Sequence, residues 1–175
     1  QFAETLKIPV VNTMMAKGIL SCASKYAMMT VGIPQKDYAD KLLEKADLVI
    51  AVGYDLVEYA PSKWNADMQK RILHIGTRPA HINKCYQCCV QVVGDISDSL
   101  FGILRRTSRT REPLDALRIK ERFLEEQNAY AEDTAFPLKP QKILSDVRRV
   151  MGEDDILISD VGAHKMWIGR LYGCY

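Results

Sequence analysis

Leu48-Val-Ile-Ala-Val-Gly53 decides the fold. It is an uncharged apolar run of strand length closed by a glycine, the form of a strand buried on both faces of a parallel sheet. Working outward, residues 34–46 (PQKDYADKLLEKA) precede it. Tyr38, Leu42, Leu43 and Ala46 fall there at helical spacing on one face, and Pro34 suits a helix start. Residues 71–75 (RILHI) and 89–93 (CVQVV) read as two more strands of the same kind. Residues 8–12 (IPVVN) form a short β-prone run behind a helix end at residues 1–7, while residues 16–30 read as loop. Residues 54–69 form a long loop with Pro61 and two aromatics, Tyr59 and Trp64. Asp95 is placed to cap a helix running through Leu100, Ile103 and Leu104 to Arg106. Strand, helix, strand, strand, helix predicts an α/β fold, a parallel sheet flanked by helices. Ligands in such sheets lie outside the carboxyl ends of the strands. Those loops begin here at Asn12, Gly53, Gly76 and Gly94.

The character changes after Thr107. Residues 107–133 are rich in Arg and Glu, with Leu114, Leu117, Phe123 and Leu124 scattered among them, and read as an exposed, partly helical connector. A Pro-punctuated stretch, 134–140, follows. Residues 140–151 then predict a helix with Ile143, Leu144, Val147 and Val150 on one side. Residues 155–159 (DILIS) predict a strand, 160–164 a turn and 165–171 a helix start. The expected organisation is a first unit over 1–107, a linker over 108–139 and the opening elements of a second α/β unit over 140–175.

Composition bounds the function classes. A chain of 175 residues has room for about one domain, or one domain and a piece of another. At 47% hydrophobic and 26% charged it is no disordered or low-complexity chain. The balance of 24 Lys and Arg against 22 Asp and Glu argues against a nucleic-acid binder. No apolar run approaches the ~18 residues of a membrane helix. Gln1-Phe-Ala-Glu-Thr5 has neither part of a signal peptide. Five cysteines without a secretory context read as reduced thiols of a cytoplasmic protein. The chain opens in a helix already under way and stops at Tyr175 without a closing element, so an internal piece of a longer protein is expected.

Each candidate motif has a plainer explanation beside it. His81, Cys85, Cys88 and Cys89 have ligand-like spacing, but no second CxxC or matching His completes a zinc site. One of the adjacent pair Cys88 and Cys89 is expected to pack inward as a small hydrophobe. No metal site is assigned. Phosphate-loop, dinucleotide and nucleophile-elbow motifs are absent. His74 reads as a satisfied core histidine. Tyr59 and Trp64 either pin their loop or contact a ligand. Asp160-Val-Gly-Ala-His164 is the most informative by position. A strand, a glycine turn and a helix start with a histidine can receive an anion on free N–H groups. A plain strand–turn–helix would look the same.

Taken together, these stretches resemble the acetolactate synthases, a family of thiamine-diphosphate enzymes. Residues 46–65 (ADLVIAVGYDLVEYAPSKWN) resemble part of that family's central domain. Ile8-Pro-Val-Val-Asn-Thr13 with Met15-Ala-Lys-Gly18, His74-Ile-Gly-Thr-Arg-Pro-Ala80 and Val92-Val-Gly-Asp-Ile-Ser97 are similar to further family motifs, in the family's order. Ile158-Ser-Asp-Val-Gly-Ala-His-Lys-Met-Trp167 resembles the opening of the pyrophosphate-binding domain. The resemblance implies a fragment: most of a Rossmann-like central domain without its first strand, then the start of the next domain. It implies decarboxylation of pyruvate and joining of the hydroxyethyl unit to a second 2-oxo acid, giving 2-acetolactate, with thiamine diphosphate and Mg²⁺.

Val161, Gly162 and His164 match the family's diphosphate contacts, while Ala163 stands where Gln is usual. No residue present is assigned the chemical step, so the fragment alone is expected to be inactive. Gly32, Gly53 and Gly76 match positions lining a structural FAD site in the biosynthetic members. Residues 54–61 look more like the flavin-independent, catabolic members, and Gly76 stands where Asp is usual, so FAD is not expected. The resemblance further implies a homo-oligomer, a dimer or tetramer, acting in the cytoplasm on small molecules, without nucleic acid or membrane. The alternatives are a stand-alone Rossmann-like nucleotide-binding module or another thiamine-diphosphate decarboxylase.

Overall fold

The computed structural model describes residues 1–33, 36–108 and 111–175. In chain order the elements are α1 (Phe2–Leu6), β1 (Val10–Asn12), β2 (Ala27–Thr30), α2 (Tyr38–Lys45), β3 (Leu48–Val52), a 3-10 turn (Pro61–Lys63), β4 (Arg71–Gly76), β5 (Val90–Val93), α3 (Ile96–Leu104), α4 (Leu114–Ala131), α5 (Pro140–Val150) and α6 (Ala163–Leu171). Every strand pairing is parallel. β1 pairs with β2, and β3-β4-β5 form a second sheet in that order. This is the expected α/β architecture.

The central strand is buried and its neighbours are less so. Ile72 and Ile75 on β4 have no exposed surface. β3 lies at the edge of its sheet, with Leu48 and Val52 at 40% and 42% exposure, so it is not the doubly buried strand that its composition predicts. Ladder bonds continue past the strands: Gly53 N–H donates to Ile75 O at 2.8 Å, and Gly94 N–H to Gly76 O at 3.0 Å.

Helix ends follow local chemistry. At α2 the Asp37 N–H donates to the Asp40 carboxylate at 3.0 Å, one arm of a capping box. Pro34, the expected start of that helix, lies outside the described residues. Asp95 caps α3 as expected, accepting from Asp98 N–H at 2.9 Å. Pro140 opens α5, where its missing N–H costs nothing.

Three further expectations need correction. Residues 27–30, expected as loop, form β2, and all four are buried. The strand earns its pairing from tertiary position, since Val31 N–H also donates to Asn12 O at 2.8 Å. Residues 155–159 make no strand. Ile156 and Ile158 are 83% and 88% exposed, and without a partner ladder an apolar run has nothing to hold it extended. The expected exposed connector contains α4, which buries Ala116 and Phe123 in one core with Met28, Met29, Val31 and Ala39. A second core joins Ala51, Trp64, Ile72 and Tyr86 under the three-stranded sheet. Helix α4 packs on α2 and α5, and α5 on α6. Arg170 of α6 ties these together through Asp37 and, at 3.0 Å, Glu126.

Candidate functional site

The carboxyl ends of the strands carry the glycines singled out above. Gly32 follows β2, Gly53 follows β3, Gly76 ends β4 and Gly94 follows β5. Gly32 (φ 84°) and Gly53 (φ 57°) adopt left-handed backbone that a side chain would strain. What each faces is the chain itself. A Cβ at Gly32 would lie 3.5 Å from Glu58 O and 3.7 Å from the Tyr59 ring. At Gly53 it would meet Ile96 Cδ1 at 3.4 Å, and at Gly76 His74 Nε2 at 2.9 Å. The three positions share the rim; at Gly32 and Gly53 the added atom would make ordinary van der Waals contact, and only at Gly76 would it collide, with the His74 ring.

The loop after β3 is wired down over that rim. Trp64 Nε1 donates to Tyr54 Oη at 3.2 Å, Tyr54 Oη donates to Tyr59 O, and Tyr59 Oη donates to Asp40 Oδ1. Burial, with the Asp40 carboxylate beside it, holds the Tyr59 hydroxyl well above the ordinary phenol range. Of the two readings of Tyr59 and Trp64, loop pinning is the one these bonds support.

His74 is a satisfied core histidine. Its Nε2 lies 3.2 Å from Arg78 O, which can only accept, so the ring proton belongs on Nε2. Nδ1 then accepts from Tyr86 Oη at 3.1 Å. Cys88 packs against the core under the sheet, and Cys89 Sγ donates to Ile72 O at 3.1 Å. Among the described residues no group of three His, Cys, Asp or Glu side chains is arranged to hold a metal ion. Among them, too, no helix is long and apolar enough to cross a membrane.

The turn at 160–164 is open. Val161 is 81% exposed, and Gly162 and His164 are exposed beside it. Asp160 Oδ1 accepts from Val161 N–H at 2.7 Å and shapes the turn. Gly162 caps α6 and its carbonyl accepts from Lys165 N–H at 3.1 Å, which leaves the Ala163 and His164 N–H groups as the free donors of the helix start. A Cβ at Gly162 would fall 2.7 Å from His164 Cε1, so only glycine leaves the imidazole where it stands, over the helix start. An exposed helix N-terminus, a glycine and a histidine fit an anionic group such as a diphosphate. Among the described residues no hydrogen bond, ion pair or ring contact joins this turn to Gly32, Gly53 or Gly76.

Comparison with known proteins adds independent findings. A family described as "Thiamine pyrophosphate enzyme, central domain" matches residues 1–103. An acetolactate synthase of Bacillus subtilis (strain 168) is 27% identical over 178 residues, covering 98% of this chain and 31% of its own length. The catabolic acetolactate synthase of Raoultella terrigena is 32% identical over 146 residues, covering 80% of this chain and 26% of its own. The acetolactate synthase large subunit of Corynebacterium glutamicum is 31% identical over 185 residues, covering 97% and 28%. The chain thus spans about three-tenths of the length of the curated relatives it matches.

Proposed function

The chain belongs to the thiamine pyrophosphate enzymes, residues 1–103 being their central domain, and from that premise we propose that it is a segment of an acetolactate synthase. The reaction would release carbon dioxide from pyruvate and join the two-carbon remainder to a second 2-oxo acid. One observation carries this reading. Similarity to acetolactate synthases covers 98% of the chain and so runs far past residue 103, through the glycine turn and α6. A stand-alone nucleotide-binding module has no need of that second part.

Val161, Gly162 and His164 are the residues that would hold the diphosphate of thiamine diphosphate, with Mg²⁺ beside it. The cofactor, when bound, supplies the electron sink for loss of carbon dioxide. The chain's own part is binding and orientation. The first turn of α6 offers N–H donors, His164 adds a ring donor, and Gly162 leaves room for both. With Ala at 163, recognition at that position falls to the backbone. Residues 54–61 look more like the flavin-independent members and Gly76 stands where Asp is usual, so the enzyme is proposed to work without FAD. We further propose units over 1–107 and 140–175 joined by 108–139, with α4 lending Ala116 and Phe123 to the first unit's core. The whole protein would be a cytoplasmic homo-oligomer.

The test is the intact polypeptide that carries this chain, given pyruvate, thiamine diphosphate and Mg²⁺, with 2-acetolactate as the readout. His164→Ala should raise the cofactor concentration for half-activation by about tenfold, one charge-assisted hydrogen bond's worth, and leave the melting temperature unchanged. No carbon dioxide release from pyruvate, or an unchanged cofactor requirement in the variant, overturns the proposal.

A further inference from the structure

A cleft of about 540 Å³ opens between the β1-β2 pair and helices α4, α5 and α6. That volume lies within the range of small-molecule sites. Part of its wall is apolar, from Met28, Met29 and Phe123. Lys17, Lys120 and Arg148 also line it, brought together from the loop after β1, from α4 and from α5.

These cations are held by carbonyl oxygens. Lys17 Nζ donates to Gly169 O at 3.0 Å. Lys120 Nζ donates to Ser24 O at 2.5 Å and to Cys22 O at 3.4 Å. Arg148 Nη2 donates to Met151 O at 2.6 Å and to Gly152 O, and its guanidinium lies 5.1 Å from the Tyr172 ring centroid. Among the described residues none of the three has a carboxylate within 4.0 Å. A carbonyl satisfies a hydrogen bond but leaves the charge uncancelled, and each cation keeps at least one donor unspent. The other arginines of the wall differ: Arg170 is paired with Asp37 and Glu126, and Arg149 with Asp146. Glu153 is the wall's remaining carboxylate. Burial lowers the affinity of both lysines for their protons, a cost that a bound anion would offset.

We propose that this cleft is a binding site for an organic dianion, a phosphate monoester with an apolar body, its head on Lys17, Lys120 and Arg148 and its body against the apolar part of the wall. Three cations without a carboxylate partner supply the donors and positive charge for the head, and the apolar wall selects an ester over the free ion. The site is separate from the glycine turn at 160–164 and uses none of its residues.

Titration calorimetry with phenyl phosphate tests this on the intact enzyme, saturated with thiamine diphosphate and Mg²⁺ so that the glycine turn is filled. The readout needs no turnover and stands whatever the substrate of the reaction proves to be. Saturable binding is expected, weakened about tenfold or more in the Lys17→Gln/Lys120→Gln double variant and kept in Lys120→Arg. Inorganic phosphate should bind more weakly, and benzyl alcohol should not compete. Should the double variant fail to fold, reductive methylation of the wild type read by mass spectrometry gives the same information. Phenyl phosphate should slow labelling of Lys17 and Lys120 selectively. No saturable heat, equal competition by benzyl alcohol, or protection that does not single out Lys17 and Lys120 overturns the proposal.

Discussion

Phe123→Ala is the sharpest test of where the first unit ends. Phe123 is 7% exposed and sits in one core with Met28, Met29 and Ala116. Tyr38 meets its ring edge-on at 6.0 Å, and the Arg170 guanidinium lies 5.3 Å from its centroid. Truncating a core Phe costs about 3–5 kcal/mol, the spread reflecting how far the site can relax. Phe123 also borders the cleft, so water can enter the vacated space, which places the expected loss near the lower limit, about 3 kcal/mol. For a chain of this size each kcal/mol moves Tm by about 2–4 °C, so a fall of roughly 6–12 °C is expected. Thermal and urea unfolding of the 175-residue chain, followed by far-UV circular dichroism, measures it. The urea midpoint should fall with the slope unchanged. Leu124→Ala, one residue along and 41% exposed, is the internal control and should cost about 1 kcal/mol or less. Equal small effects from both variants would mean that residues 114–131 are an exposed connector after all.

Further outcomes follow from single contacts. Gly76→Ala would place a Cβ 2.9 Å from His74 Nε2, on a ring fixed from both sides by Arg78 O and Tyr86 Oη. The ring cannot yield without losing a buried hydrogen bond, so a loss of about 1–3 kcal/mol in urea unfolding is expected, and a neutral result would show that His74 is not held. Glu112 accepts from Lys7 at 2.9 Å, with Lys25 and Tyr26 Oη also on it, and these donors hold its carboxyl below the ordinary range. A depressed carboxylate stabilises the fold above its unfolded value of about 4.3 and loses that contribution as pH falls through the folded value. The stability gap between wild type and Glu112→Gln should therefore be present at pH 6 and close on acidification; a gap that widens toward low pH would reverse the assignment. Calorimetry of the isolated 175-residue chain with thiamine diphosphate and Mg²⁺ should show no tight binding, since the chain spans 31% of its Bacillus relative. A sub-micromolar constant would contradict the fragment reading.

What was legible, and what was not, has one physical cause. Apolar pattern states which segment must be covered and leaves open what covers it. Runs such as residues 71–75 and 90–93 find parallel partners in the sheet, and the pattern reads true. Residues 155–159 carry a similar run, yet Ile158 is 88% exposed where Ile75 has no exposed surface. The difference is the neighbouring strand, which no local pattern records. Helix α4 is the converse. Its charged composition suggests solvent, but Ala116 and Phe123, seven residues apart and so on one face, are enough once α2 and the β2 strand lie opposite. The same limit governs the sites. The turn at 160–164 is local, a glycine and a histidine at a helix start, and it is visible in five consecutive letters. Gly32, Gly53 and Gly76 are legible as glycines at the strand ends, but only the packed structure shows that Tyr59, Ile96 and His74 are their neighbours. The cleft lies beyond sequence altogether. Lys17 and Arg148 are ordinary surface letters until the fold lines one cleft with them, and their lack of carboxylate partners is a property of that cleft.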